Sequence, residues 1–128
     1  MDRYQNILII NPDEKELINT MHTVNMFGLG EHVQTETNGI SAWYYMQYAH
    51  CRPDLILVTL EKGEKTVVDF VEAFESLDFG KRMQSVIKIY YREDCIEFEK
   101  LSSFRFAKKL PARGPELSDP KSVFDNVA

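Results

Sequence analysis

The sequence predicts an α/β fold in which helices cover both faces of a parallel sheet. Short apolar runs of strand length occur at 6–10, 54–59 and 86–91, and the segments between them carry apolar residues at helical spacing. Apolar strands that alternate with helices favour parallel pairing through right-handed crossovers. We therefore expect five strands that alternate with helices in one layered domain.

The first strand and helix are predicted from an apolar run and the helix-start residues behind it. The run at 6–10 precedes Asn11, which we predict as the helix cap, and Pro12, which suits the first helical position. Acidic residues at 13–14 favour the positive end of the helix dipole. Gly28 marks the predicted end of this helix.

The middle of the chain predicts an edge strand, a helix and the central strand of the sheet. The segment 32–36 is short and polar, as expected for an edge strand. Residues 38–51 place apolar side chains on one face of a helix. Pro53 breaks that pattern, and the apolar run 54–59 then predicts the central strand.

The second half of the chain predicts the remaining elements. A charged loop at 61–65 precedes a helix at 67–77, predicted from the period of its apolar residues. The apolar run 86–91 predicts the fourth strand. The last predicted elements are a short helix at 93–101, a strand at 104–107 and a helix at 117–127.

Length and composition exclude several classes of protein. A chain of 128 residues is long enough for one domain, 1–128, and too short for two. Hydrophobic residues make up 44% of it, which predicts a globular core that needs neither disulfides nor metals. The net charge of −5 argues against nucleic acid or a membrane as partner, because either favours a basic patch.

The cysteines, histidines and N-terminus predict a cytoplasmic protein without a metal site. Cys51 and Cys95 lie far apart and form no CxxC pair, which is typical of reduced thiols. The three histidines lack the spacing of metal ligands. The N-terminus opens into a strand without the apolar stretch of a signal peptide, and no apolar run approaches membrane-spanning length.

Three segments together resemble the receiver domains of response regulators, the CheY-like superfamily. Residues 53–58 resemble the strand that leads to the phosphorylated aspartate, 7–14 the first strand and acidic turn, and 35–42 the second strand and helix start. The resemblance covers 6 to about 109, and 110–128 is the least typical part. It implies a flavodoxin-like three-layer sandwich of strand order 2-1-3-4-5, with the functional edge at the carboxyl ends of the strands.

The same resemblance locates the phosphorylation site of a receiver, whose chemistry this chain has lost. Neither residue of the acidic pair is a carboxylate, so Mg²⁺ lacks its ligands, and the aspartate position holds a hydroxyl that cannot form an acyl phosphate. We predict a degenerate site without catalytic residues, metal or cofactor. Its positions are Asn11 and Pro12 for the acidic pair, Thr59 for the aspartate, Tyr90 for the small hydroxyl and Lys109, or alternatively Lys108, for the lysine.

We make one prediction about the orientation of Tyr90 and one about the modification of Thr59. Because the charge around the old phosphate pocket is lost, we expect the Tyr90 ring to turn inward and fill it. Thr59 is either a site that a kinase phosphorylates or an ordinary β-branched residue that ends a strand. We favour the ordinary residue, because burying a phosphate charge is costly.

Aromatic residues indicate where a partner binds. The resemblance implies an interaction surface at Tyr91, Phe104 and Phe106, because receivers bind partners on that face. The aromatic residues at 43–45 and Tyr48 lie on the predicted second helix. They form either a second exposed patch or a packed layer with polar tips outward, and both alternatives remain open.

These observations predict a stand-alone, receiver-like signalling module of the two-component (phosphorelay) type that is not an enzyme. We expect it to act by phosphorylation-independent contact with a protein partner, such as a histidine kinase or an output protein, as a monomer or weak homodimer. One alternative is a small-molecule binder that uses the carboxyl edge of the sheet. Another is a receiver that phosphate still regulates through Thr59.

Overall fold

The computed structural model describes residues 4–48, 52–82, 84–92, 94, 96 and 98–110. The helix predicted at 117–127 and both cysteines lie outside these residues. Within them, none of the helices is long and apolar enough to cross a membrane. The described elements, in chain order, are β1 (Tyr4–Ile10), α1 (Glu14–Met26), β2 (Gly30–Glu36), α2 (Gly39–Tyr48), β3 (Leu55–Thr59), α3 (Lys65–Glu75), α4 (Phe79–Arg82), β4 (Val86–Tyr90), α5 (Phe98–Ser102) and β5 (Lys108–Leu110).

The five strands form one parallel sheet of order β2-β1-β3-β4-β5, which confirms the predicted fold class. Alternating side chains of the inner strands feed two apolar cores, one on each face. Ile7 and Ile9 of β1 pack with α1, whereas Leu8 and Ile10 pack with α2 and α3. All five residues of β3 are buried. Each fully buried Leu or Ile stabilises the fold by about 1.5–3 kcal/mol.

The cap of α1 is Asp13 rather than the predicted Asn11. The Asp13 carboxylate accepts the backbone N–H groups of Lys15 at 3.0 Å and Glu16 at 3.2 Å. Asn11 lies one step earlier, where its side-chain oxygen accepts the Asp13 N–H at 2.9 Å. The helix therefore begins at Glu14, because the Asp13 carboxylate satisfies its first free N–H groups.

Two further elements differ from the prediction. The four-residue helix α4 is too short to show a period in the sequence. The fifth strand lies at Lys108–Leu110 instead of 104–107. The reason is a contact distant in sequence, because the Glu75 carboxylate accepts the backbone N–H groups of Arg105 at 2.6 Å and Phe106 at 2.9 Å. These N–H groups are thereby engaged outside the sheet.

The N-termini of α2 and α3 meet each other. The Gly39 N–H donates to the Thr66 hydroxyl oxygen at 2.9 Å, and that hydroxyl donates to Glu64, the cap of α3. Gly39 and Thr66 also line a cleft between the two helices.

Candidate functional site

Four residues form a row at the carboxyl edge of the sheet. Thr59 pairs with Tyr90, and Tyr90 pairs with Leu110. Ile10 pairs with Val58, so the next residue, Asn11, lies level with Thr59. Because side chains alternate along a strand, the row faces the same side of the sheet as α1.

Leu110, and not Lys109, completes this row. Lys109 pairs with Ile89, whose side chain belongs to the core on the α2 and α3 side. The alternation of side chains therefore directs Lys109 away from the face that carries Thr59. The lysine position was predicted at Lys109, or alternatively Lys108. The pairing corrects this, because Lys108 lies level with Lys88, one residue pair before Lys109, and the aliphatic Leu110 takes the place in the row. The displacement of β5 along the chain accounts for the difference.

Asn11 is built into the start of α1. It is 1% exposed, its oxygen accepts the Asp13 N–H, and its nitrogen donates to Glu16 Oε1 at 3.3 Å. Pro12 follows and offers no side-chain oxygen. These residues do not fit Mg²⁺, which prefers carboxylate oxygens. Among the described residues there is no group of three or more His, Cys, Asp or Glu placed to hold a metal.

Tyr90 closes the row with its ring. It is 1% exposed and belongs to the core of the α1 face, together with Ile9 and Leu57, and Leu110 packs against that core. The expectation that Tyr90 turns inward is confirmed. Thr59 beside it is 5% exposed. The edge at which a receiver binds phosphate is therefore occupied in this chain by a buried aromatic ring, a buried hydroxyl group and a half-buried aliphatic side chain.

The predicted interaction surface is only partly a surface. Phe104 is 1% exposed and belongs to the core between the sheet and α3, so it cannot contact a partner. Tyr91 is half-buried against the same core. Phe106 is 50% exposed. Of the three predicted residues, Phe106 alone presents a ring to solvent.

Phe106 forms part of an exposed aromatic cluster with Phe79 and Arg82. The Arg82 guanidinium lies 3.6 Å from the centroid of the Phe106 ring and 5.9 Å from that of Phe79. Arg82 Nη1 also donates to the carbonyl oxygen of Leu77 at 2.9 Å. We call these three residues the Phe79–Phe106 cluster. It fixes the arginine over two rings, so Arg82 is more than the solvated charge that its sequence context indicates.

The aromatic residues of α2 divide between core and surface. Trp43 and Tyr45 pack against the core, and the Trp43 ring meets Phe70 edge-on at 5.8 Å between centroids. Tyr44 and Tyr48 are exposed and stack on each other at 5.9 Å. Trp43 and Tyr45 therefore form the packed layer, and Tyr44 and Tyr48 form the exposed patch, so each alternative applies to two of the four residues.

Lys88 is a buried residue that sequence reasoning overlooked. It is 0% exposed in the middle of β4, where it pairs with Leu57 and Lys108. Lysine is almost never fully buried unless its ammonium group is paired. A single charge inside an otherwise apolar strand was the signal for it.

The sequence matches no protein-family model and no curated protein. Solved structures do share its fold. A two component response regulator from Cytophaga hutchinsonii superposes with a TM-score of 0.75 at 11% identity, over 97% of this chain and 96% of that one. The CheY-like receiver domain of a response regulator from Methylobacillus flagellatus gives 0.65 at 15% identity, over 94% and 96%. The chemotaxis response regulator CheY4 of Vibrio cholerae gives 0.68 at 17% identity, over 89% and 90%. This chain therefore has the receiver-domain fold.

Proposed function

We propose that this chain is a receiver-like signalling module of the two-component type that works by protein–protein contact without being phosphorylated. Its fold supports a signalling role, because the three solved structures compared above, which share it, are those of response regulators. The row at the carboxyl edge supports the loss of phosphorylation, and it is the observation on which the proposal rests.

Each residue of that row disfavours phosphoryl transfer. The amide of Asn11 is engaged in the start of α1, so it is not free to hold a cation. Thr59 is buried and has a hydroxyl where an acyl phosphate needs a carboxylate. Tyr90 and Leu110 fill the neighbouring positions with an aromatic ring and an aliphatic side chain. Burial of Thr59 also disfavours its modification by a kinase.

The Phe79–Phe106 cluster is the surface that we assign to the partner. Phe79 is 69% exposed and Phe106 is 50% exposed, with a guanidinium held between them. Aromatic residues and arginine are the side chains most enriched where proteins bind each other. The partner is a signalling protein, such as a histidine kinase or an output protein.

An amide NMR titration with Mg²⁺, followed by beryllofluoride as a phosphoryl mimic, tests the proposal. We expect no saturable shifts at Asn11, Thr59 and Tyr90. A receiver domain that retains the acidic pair and the aspartate serves as the positive control under the same conditions. Localised, saturable shifts in this chain would show that the edge still binds a phosphoryl group, and the proposal would be wrong.

A further inference from the structure

A cleft of about 310 Å³ lies between α2 and α3, away from the carboxyl-edge row. Ile40, Trp43 and Tyr44 line it from α2, and Asp69 and Ala73 line it from α3. Trp43 and Tyr44 follow Ile40 by three and four positions and Ala73 follows Asp69 by four, so each set forms one helical face. The small side chain of Ala73 leaves the space open beside the indole and phenol rings.

The chemistry of the lining is apolar and aromatic, with one charge. Asp69 is the single charged residue among the described residues that line the cleft. The helix α2 contains no charged residue from Gly39 to Tyr48. A ligand that complements this cleft therefore has an apolar body and one positive group. The faces of Trp and Tyr also attract cations, which adds to the attraction of the carboxylate.

The dimensions of the cleft fit a small molecule. Ile40 and Tyr44, which line it, are 61% and 62% exposed, so a ligand bound there removes their apolar surface from water. The cleft volume falls at the lower end of small-ligand pockets, about 300–1,000 Å³.

We infer that the α2–α3 cleft binds a small arylalkyl ammonium compound, with its aromatic ring between Trp43, Tyr44 and Ala73 and its ammonium group at Asp69. The inference does not depend on the proposed signalling function, because it uses none of the residues of the carboxyl edge or of the Phe79–Phe106 cluster.

Amide NMR titrations with three probes of one size test the inference. The probes are phenethylammonium, 2-phenylethanol and phenylacetate, which carry a positive, a neutral and a negative group on the same ring. We expect saturable shifts in 39–44 and 66–73, with the tightest binding for the cation and the weakest for the anion. Equal affinity for the three probes, shifts centred elsewhere, or no saturable shifts would each overturn the inference.

Two substitutions assign the contributions of charge and space. Asp69→Asn keeps the shape of an exposed side chain and removes its charge, so we expect the affinity for phenethylammonium to fall about fivefold. Its affinity for 2-phenylethanol should not change. Ala73→Leu fills the cleft and should lower the affinity for both probes about tenfold.

Glu99→Gln removes another exposed carboxylate, from α5 and outside the cleft lining, and serves as the matched control. It should leave both affinities unchanged. If Asp69→Asn leaves the affinity for the cation at the level of this control, the assignment of the ammonium group is wrong. Thermal unfolding of each variant shows that the fold persists during the titrations.

Discussion

Gly39 and Thr66 bring the backbones of α2 and α3 into contact. The Gly39 N–H donates to the Thr66 hydroxyl oxygen at 2.9 Å, and a Cβ atom at Gly39 would lie 1.8 Å from the Thr66 carbonyl oxygen. Only a residue without a side chain fits there. This contact closes one end of the α2–α3 cleft and sets the distance between the two helices.

Gly39→Ala is therefore expected to destabilise the protein. The added methyl group meets backbone rather than a flexible side chain, so α2 must move, and we expect a loss of about 2–3 kcal/mol in the free energy of unfolding. Urea denaturation measures it. Gly80→Ala is the matched control, because a Cβ atom there has no described heavy atom within 4 Å. Equal stability of the two variants would contradict the role assigned to Gly39.

The sequence predicts the sheet well because its evidence is local. The apolar runs at 6–10, 54–59 and 86–91 contain enough buried residues to define three strands. The strand order 2-1-3-4-5, which the receiver resemblance implied, also agrees with the structure. The predicted position of the fifth strand is wrong because the actual position depends on Glu75, which lies 30 residues from Arg105. No pattern within the strand itself carries that information.

The site shows the same division between local and distant information. Asn11, Thr59 and Tyr90 were predicted at one edge and lie in one row, because each directly follows or ends a well-defined strand. Lys109, or alternatively Lys108, was assigned from the register of the receiver resemblance, and the actual pairing of β5 puts Leu110 in the row instead. Burial of Phe104 depends on packing against α3, which its aromatic character alone does not predict.

Asp54→Ala is expected to weaken the start of β1. The Asp54 carboxylate accepts the backbone N–H groups of Gln5 at 2.9 Å and Asn6 at 2.8 Å. Hydrogen bonds to a charged acceptor contribute about 1.5–3 kcal/mol, so we expect a loss of about 2 kcal/mol by urea denaturation. Asp54→Asn should lose less, because its amide keeps one acceptor oxygen. Asp94→Ala, which removes an exposed acid, is the control. If Asp54→Ala loses no more free energy of unfolding than this control, the role assigned to the Asp54 carboxylate is wrong.

The stability of the protein should fall at alkaline pH in part through Tyr4. Burial raises the pKa of Tyr4 above its usual 10.0, and the nearby Asp54 carboxylate raises it further. The folded protein therefore holds this proton more tightly than the unfolded chain. The resulting stabilisation is complete below about pH 10 and is lost as the pH rises through the higher folded pKa.

Tyr4→Phe isolates this effect, because phenylalanine keeps the ring and cannot ionise. We expect the wild type to lose more free energy of unfolding than the variant between about pH 8 and pH 11. Urea denaturation at the two pH values gives the difference, and the other tyrosines cancel in the comparison. A difference that stays constant across this range would mean that Tyr4 titrates alike in the folded and unfolded states.

Thr59→Asp is expected to cost stability without restoring Mg²⁺ binding. Thr59 is 5% exposed, so a carboxylate there is buried, and the loss of its hydration costs about 3 kcal/mol. Asn11 and Pro12 still supply no carboxylate, so the single new acid does not make a cation site. Thr59→Asn has the same shape without the charge and is the control for packing.

The pH dependence of these two variants separates charge from shape. Burial raises the pKa of the introduced carboxyl group above the unfolded value of about 3.9. Below about pH 4 the group is neutral in both states, so the two variants should be equally stable. As the pH rises, the unfolded chain ionises first and the aspartate variant should become progressively less stable than the asparagine variant. Mg²⁺ that stabilises the aspartate variant at neutral pH would show instead that the edge retains the capacity to bind a cation.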